Sequence, residues 1–348
     1  MPPRAELIDE FATRFGLPGL GAAYGVGDLT RTLLVGALVL LLSLVAVRVS
    51  ARSGLPTMLL YLGIGFALGQ DGLGLAFDDN QLTQVLGYSA LVLILAEGGL
   101  TTSWPGIRRS VAPAAVLSTM GVAVSVGVVA AAGHYVLDLS WPVALLVAAI
   151  LSSTDAAAVF SVLRHVPLPR RLAGLLEAES GFNDAPVVIL VTALSLRLAD
   201  ADQSPWWALV LLAVAELAGG SVIGLMIGWL GGRVVRRLAG GASGPFAIGV
   251  LAVVVFAYAA AASLHASGFI AAYLAALVLG NMGLPHRPAV HGFAEVLGTL
   301  AQIGLFVLLG LLATPSRLPA QILPAVVIGL VLLLVGRPLS VLVSLTPF

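Results

Sequence analysis

Between Ser152 and Val187 the chain reads SSTDAAAVFSVLRHVPLPRRLAGLLEAESGFNDAPV, two apolar stretches joined by an arginine-bearing loop. Each stretch carries an aspartate, Asp155 in the first and Asp184 in the second. At about 1.5 Å per helical residue, Asp155 lies roughly 14 Å from Arg164 and Asp184 roughly 20 Å from Arg171. Both depths fall near the middle of a hydrocarbon layer about 30 Å thick. A carboxylate there costs about 2.5–3.5 kcal/mol on insertion scales, so its default reading is ion or proton chemistry. Glu97, in LAEGGL, reaches a similar depth, roughly 16 Å before Arg108. A hydrogen-bonded packing acid is the competing reading for Asp155 and Glu97.

Asp184 has the richest surroundings. Ser180 lies four residues earlier on the same helical face, and Glu179 and Asn183 form a second such pair on the adjoining face. Pro186 has no N–H for the Phe182 carbonyl, which is freed beside the acid. Carboxylate, hydroxyl and carbonyl oxygens, without cysteine or clustered histidine, suit a proton or a hard monovalent cation better than zinc. Asp155 follows Thr154 and precedes three alanines, which leave room for a crossing helix or an unwound turn. Arg337, in the last apolar segment, needs a buried partner, and Glu179 sits at a matching depth. Glu216 also reaches mid-membrane by counting, and the sequence offers no account of it.

The elements that position these groups follow from composition. The chain has 348 residues, of which 59% are hydrophobic and 10% charged, and a mean hydropathy of +1.06. A soluble chain carries about 25% charge, so this is a polytopic membrane protein. The formal net charge of zero argues against a nucleic-acid partner. Cysteine is absent, which excludes disulfides and thiolate metal sites. Eleven apolar segments are predicted, at 30–47, 55–69, 82–101, 111–133, 142–163, 173–198, 206–232, 245–264, 267–284, 294–313 and 320–345. Residues 1–29 precede them as an external segment, where Glu6, Asp9 and Glu10 beside Leu7, Ile8, Phe11 and Phe15 suggest a short amphipathic helix.

Arginines gather after the odd segments, at Arg48, Arg52, Arg108, Arg109, Arg164, Arg170, Arg171, Arg233, Arg236, Arg237 and Arg287. Acids gather after the even ones, at Asp71, Asp78, Asp79, Asp138, Asp200 and Asp202. The positive-inside rule places the arginine loops in the cytoplasm and the N-terminus outside.

Ser153-Thr154-Asp155-Ala156 followed by Glu179-Ser180-Gly181-Phe182-Asn183-Asp184 resembles the paired signature of monovalent cation:proton antiporters of the NhaP type. SSTDAAAVFSVLR, GFIAAYLAALVLGN, AQIGLFVLLGLL and GRPLSVLVSLTPF are similar to the potassium/proton branch named for cell volume regulation. The resemblance runs from about residue 30 to the last residue. It implies an all-α polytopic fold with about eleven transmembrane helices in this chain, inverted repeats and a broken-helix crossover at the midplane. It implies a homodimer in the bacterial cytoplasmic membrane that works by alternating access, with membrane lipid around it and no cofactor. Asp184 would bind cation and proton competitively, with Thr154, Ser180 and Glu97 lining the site. Asp155, counted with the binding residues, and Asn183 would hold the unwound crossover, and Glu179 would pair with Arg337. The family pattern continues past the closing TPF into a Gly-Leu-Arg-Gly segment and a final helix, so a C-terminally truncated domain over residues 30–348 is expected.

Two rivals share some of these features. Intramembrane aspartyl proteases pair two membrane aspartates, but resemble Tyr-Asp and Gly-x-Gly-Asp. Here Thr154 precedes Asp155, and Asn183 stands where the second glycine belongs. A cation channel would set carbonyls or charges in a ring around an axis, whereas these acids concentrate on one helix pair. The residues leave K+ and Na+ open as the exchanged cation, and the branch resemblance favours K+. Because Asn183 cannot ionise, one titrating carboxylate, Asp184, predicts one-for-one, electroneutral exchange with H+.

Overall fold

The computed structural model describes residues 26–75, 77, 79–154, 169–199, 205–238 and 242–348. Asp155, Arg164, Asp78, Asp200, Asp202 and the amphipathic stretch before residue 26 lie outside the described residues. Contacts divide the chain into one unit to Ser53 and a second from Gly54 to Phe348. Helix α1 (Val26–Ser53) belongs to the first. The second holds α2 (Thr57–Leu68), α3 (Asn80–Thr101), α4 (Val111–Leu137), α5 (Trp141–Ser152) and α6 (Arg170–Leu198), then α7 (Trp206–Leu238), α8 (Ser243–Ser263), α9 (Gly268–Asn281), α10 (Arg287–Leu312) and α11 (Pro315–Leu345).

Each apolar segment therefore carries a helix, but the helices are not equivalent. Among the described residues eight are long and apolar enough to cross a membrane, while α2, α5 and α9 are shorter. At about 1.5 Å per residue, the twelve residues of α5 reach only about 18 Å. The helix ends in a Ser152-Ser153-Thr154 run, whose hydroxyls compete for backbone groups and favour helix ends. Helix α9 follows a turn with His265 at φ 57° and ends before Gly283 at φ 62°. Helix α3 starts where Asp79 accepts the Leu82 N–H at 2.9 Å, satisfying one open donor of its first turn. At its other end Asn281 donates to the Thr102 carbonyl and accepts the Trp104 N–H, holding the restart of the chain at Trp104–Ile107.

Small residues set the helix contacts. Gly220, Gly224, Gly228 and Gly232 lie one turn apart on α7 and are buried against α9. A methyl added at Gly224 would sit 2.7 Å from Ala271 Cα, and one at Gly228 2.8 Å from Ala275 Cα. Two backbones in direct contact need this spacing in lipid, where packing replaces the hydrophobic drive. Glu216 occupies the preceding turn of the same face. Its carbonyl accepts the Ser267 N–H at 3.0 Å where α9 begins. The 33 residues of α7 extend about 50 Å, well beyond the hydrocarbon layer. Glu216 therefore lies level with the α8–α9 turn.

Two apolar cores result. In one, Val92, Leu95 and Leu100 of α3 meet Val250 and Val254 of α8, Ala276 and Leu279 of α9, and Val290 and Ala294 of α10. In the other, Val122, Val126 and Val129 of α4 meet Ala144 and Ala148 of α5 and Ile328 of α11. Helix α6 belongs to both, giving Ala178 and Ala185 to the first and Val187 and Leu194 to the second. Both α4 and α11 contain a π-helical turn, at Leu117–Gly121 and Leu332–Gly336. Such turns re-aim the side chains that follow and concentrate at functional places. Ser118, in the first, donates to the Glu179 carbonyl at 3.1 Å, and Arg337 directly follows the second.

Candidate functional site

At the end of α5 the chain turns extended, with Ser153 at ψ 145°. A helix end leaves carbonyls without intrahelical donors, and side chains from α6 and α11 supply them. Arg337 Nη2 donates to the Ser152 carbonyl at 3.2 Å. Ser180 Oγ donates to the Thr154 carbonyl at 3.1 Å, and Asn183 Nδ2 reaches the same oxygen at 3.4 Å.

Side chains close the arrangement. Asn183 Nδ2 donates to Thr154 Oγ1 at 2.6 Å, and Thr154 Oγ1 donates onward to Glu179 Oε1 at 3.1 Å. Arg337 Nη1 donates to that same Glu179 oxygen at 3.1 Å. Asn183 and Glu179 are both buried, so this string replaces hydration lost in the apolar interior. Ser153 Oγ donates to Asp184 Oδ1 at 3.2 Å. The two i, i+4 pairs of α6 therefore converge on one unwound turn, Glu179 with Asn183 from one face and Ser180 with Asp184 from the next.

A cavity of about 570 Å³ opens beside this turn. Asp184, Ser180, Thr154 and Ser153 line one side, and Glu97 and Thr101 of α3 line another. Gln302, Leu305 and Phe306 of α10 and Tyr273 of α9 complete much of the wall. Gly298 of α10 leaves space for the Glu97 carboxylate, which an added side chain would meet. Tyr273 lies against Gly181, where an added Cβ would sit 2.6 Å from its Cε2, and packs edge-on to Phe182 at 5.8 Å. Two carboxylates and no basic side chain appear among the described lining residues. A partly enclosed surface of one sign concentrates counter-ions, so the cavity favours cations.

Of the residues singled out in the sequence, Thr154, Glu179, Ser180, Asn183, Asp184 and Arg337 meet at the unwound turn, and Glu97 faces the same cavity from α3. Asp155 lies outside the described residues. Ser153, Tyr273 and Gln302 were missed. Ser153 had a signal in its place beside Thr154, and Tyr273 lies within GFIAAYLAALVLGN, but nothing local marks Gln302.

Comparison with known proteins bears on this geometry. The family model described as "sodium/hydrogen exchanger, transmembrane" matches residues 37–348. A K(+)/H(+) antiporter NhaP from Alkalimonas amylolytica is 39% identical over 323 residues, covering 91% of this chain and 55% of that protein. A K(+)/H(+) antiporter NhaP2 from Shewanella sp. (strain ANA-3) is 38% identical over 317 residues, covering 90% and 55%. The chain thus spans about half the length of these curated relatives. The solved structure of the sodium proton antiporter MjNhaP1 from Methanocaldococcus jannaschii at pH 8 superposes with a TM-score of 0.78. That match has 22% identity and covers 92% of this chain and 82% of the other, and shows a shared fold.

Proposed function

The chain belongs to the sodium/hydrogen exchanger transmembrane family, and from that premise we propose that it exchanges a monovalent cation for protons across the membrane, with Asp184 the group both ligands share. The observation that carries the reading is Asp184 at the wall of a cation-favouring cavity, beside the unwound turn at Ser153 and Thr154. Ser153, Thr154 and Ser180 offer hydroxyl or carbonyl oxygens within the same lining, a set that suits a hard monovalent ion. Glu97 adds a second carboxyl group to the cavity wall. Asp155 belongs to the proposed site by its place in the motif. Asn183 acts through Thr154, whose orientation it sets.

The cavity reaches Met58, Thr101 and Thr102, at helix ends next to the arginine-bearing loops. With those loops in the cytoplasm and the N-terminus outside, the proposed state faces inward. Alternating access then requires the α4–α5–α11 core to move against the α3–α8–α9–α10 core, with α6 carrying Asp184 between them. K+ is the favoured cation, since the two relatives above are named as K(+)/H(+) antiporters. The family resemblance extends the proposal to a homodimer.

Asn183 cannot ionise, so a single carboxylate that holds either one proton or one cation makes the exchange one-for-one and electroneutral. The test is dissipation of a pH gradient in vesicles on adding K+ or Na+, with membrane potential clamped by a method independent of either ion. Asp184→Asn should abolish exchange in protein that still inserts and stays monodisperse. Retained coupling in that variant would move the role to Asp155 or Glu97, and a potential-dependent rate would rule out one-for-one exchange.

A further inference from the structure

Among the described residues, the chain passes between the two cores at 102–110, from α3 to α4, and at 313–314, from α10 to α11. A side chain pins each link by its backbone. Asn281 of α9 accepts the Trp104 N–H at 2.8 Å in the first. In the second, Asp71 of the α2–α3 loop accepts the Ser316 N–H at 2.8 Å, across 245 residues of sequence. The Ser316 hydroxyl and the Arg317 charge add to that hold. Ser316 lies in the first turn of α11, where an N–H has no partner within the helix.

Asp71 is tied to α10 from behind. Helices α2 and α10 touch backbone to backbone, so that a methyl added at Gly65 would sit 2.7 Å from Gly310 Cα. One turn on, a methyl at Gly69 would lie 3.4 Å from the Leu311 carbonyl oxygen. The loop then closes on itself, with the Gly72 and Gly74 N–H groups bonded to the Gly69 carbonyl at 3.0 Å and the Leu73 N–H to Ala67 at 2.9 Å. Gly74, at φ 79°, takes the left-handed turn that this fold-back needs. The link that Asp71 grips is short. The Ala313 N–H still bonds to the Leu309 and Gly310 carbonyls at the end of α10, and the Arg317 N–H bonds to Thr314 at 3.0 Å. Thr314, at φ −110° and ψ 88°, stands outside both helices.

We infer that Asp71 is the outer pivot of the exchange cycle, a positioning residue that holds the first turn of α11 while the rest of that helix swings with its core. The inference rests on the movement of two cores proposed above. Hinges place the dihedral change in a few residues at the ends of elements, and Thr314 is such a residue. Ser316 is two residues beyond it, so it travels little. Arg337, which holds Ser152 and Glu179, lies roughly 30 Å further along α11 and travels most. A latch would behave differently. It would hold one state of the cycle and break for the other, whereas a pivot stays closed in both.

The chain contains no cysteine, so Asp71→Cys with Ser316→Cys introduces a single pair that oxidation can join. The full chain in vesicles is assayed for dissipation of a pH gradient by K+ or Na+, first oxidised and then reduced. Reduced, the pair lacks the carboxylate and should turn over about fivefold more slowly than the unaltered protein, the worth of one ordinary hydrogen bond. Oxidation should restore the rate, because a covalent pivot then replaces the bonded one. Asp71→Ala should show the same fall with the half-saturating cation concentration unchanged. Asp71→Asn, which keeps an acceptor oxygen, should recover most of the turnover. These two variants decide the matter if the cysteines do not join. An oxidised pair no faster than the reduced one overturns the pivot, as does Asp71→Ala with full turnover or with shifted half-saturation. Unaltered protein that exchanges no cation defeats the proposed function and the pivot with it, whereas exchange lost only on oxidation defeats the pivot alone.

Discussion

Replacing Glu179 and Arg337 singly and together tests whether the unwound turn is held by a charge pair or by independent contacts. Glu179 is 5% exposed and accepts from Arg337 at 3.1 Å and Thr154 at 3.1 Å. Arg337 also donates to the Ser152 carbonyl at 3.2 Å. Glu179→Gln leaves a partly buried guanidinium with that carbonyl as its remaining partner among the described residues. Arg337→Met leaves a carboxylate with the Thr154 hydroxyl. Removing one partner of a buried pair costs about 3–5 kcal/mol, because the other charge remains. In the double variant both charges are gone. What is left is chiefly the loss of a donor to Ser152, about 1–3 kcal/mol for an unsatisfied buried group. The expected coupling between the two sites, two single losses of about 4 kcal/mol each against a double loss of about 2, is therefore about 6 kcal/mol. Equilibrium unfolding in mixed detergent and SDS, read by tryptophan fluorescence, measures each corner of the cycle. Losses that add to within about 0.5 kcal/mol would show that the two side chains act separately and would refute the reasoning.

Other consequences are equally open to measurement. Gly224→Leu should prevent α7 from reaching α9 and lower the yield of monodisperse protein, while Gly127→Ala, which meets nothing within 4 Å, should stabilise by about 0.5–1 kcal/mol. Equal thermal stability for the two variants would contradict the proposed close contact. Asp71 accepts the Ser316 N–H at 2.8 Å, and this bond, aided by the Ser316 side chain and Arg317, holds its carboxyl below the usual range. Its contribution is then full above the ordinary aspartate value of about 4 and lost as pH falls through the lower folded value. Asp71→Asn should remove that part of the acid-side stability profile, and an unchanged profile would count against the tie. Introduced cysteines at Arg108, Arg171 and Arg236 should react with an impermeant reagent only from the cytoplasmic side, and those at Asp78 and Asp202 only from outside. Labelling of position 236 from outside would reverse the topology.

Much of this protein was legible from neighbours along the chain. Hydropathy located a helix in every apolar segment because each helix satisfies its own backbone bonds, as a lipid-spanning segment must. The Glu179–Asn183 and Ser180–Asp184 pairs were visible because a helix repeats every 3.6 residues. Depth counted from the arginine loops brought Arg337 and Glu179 to one level. The tertiary structure decided what lay across longer separations. Arg337 meets the Ser152 carbonyl over 185 residues, and no local pattern records that bond. Tyr273 and Gln302 reach the cavity only because α9 and α10 pack where they do, and in sequence both belong to apolar stretches with no distinguishing period. Counting along the overlong α7 could not say which elements share the level of Glu216. Its carbonyl bond to Ser267 sets that level. Periodicity is a property of residues three and four apart, whereas a site is made by helices whose contacts depend on the shape of every partner at once.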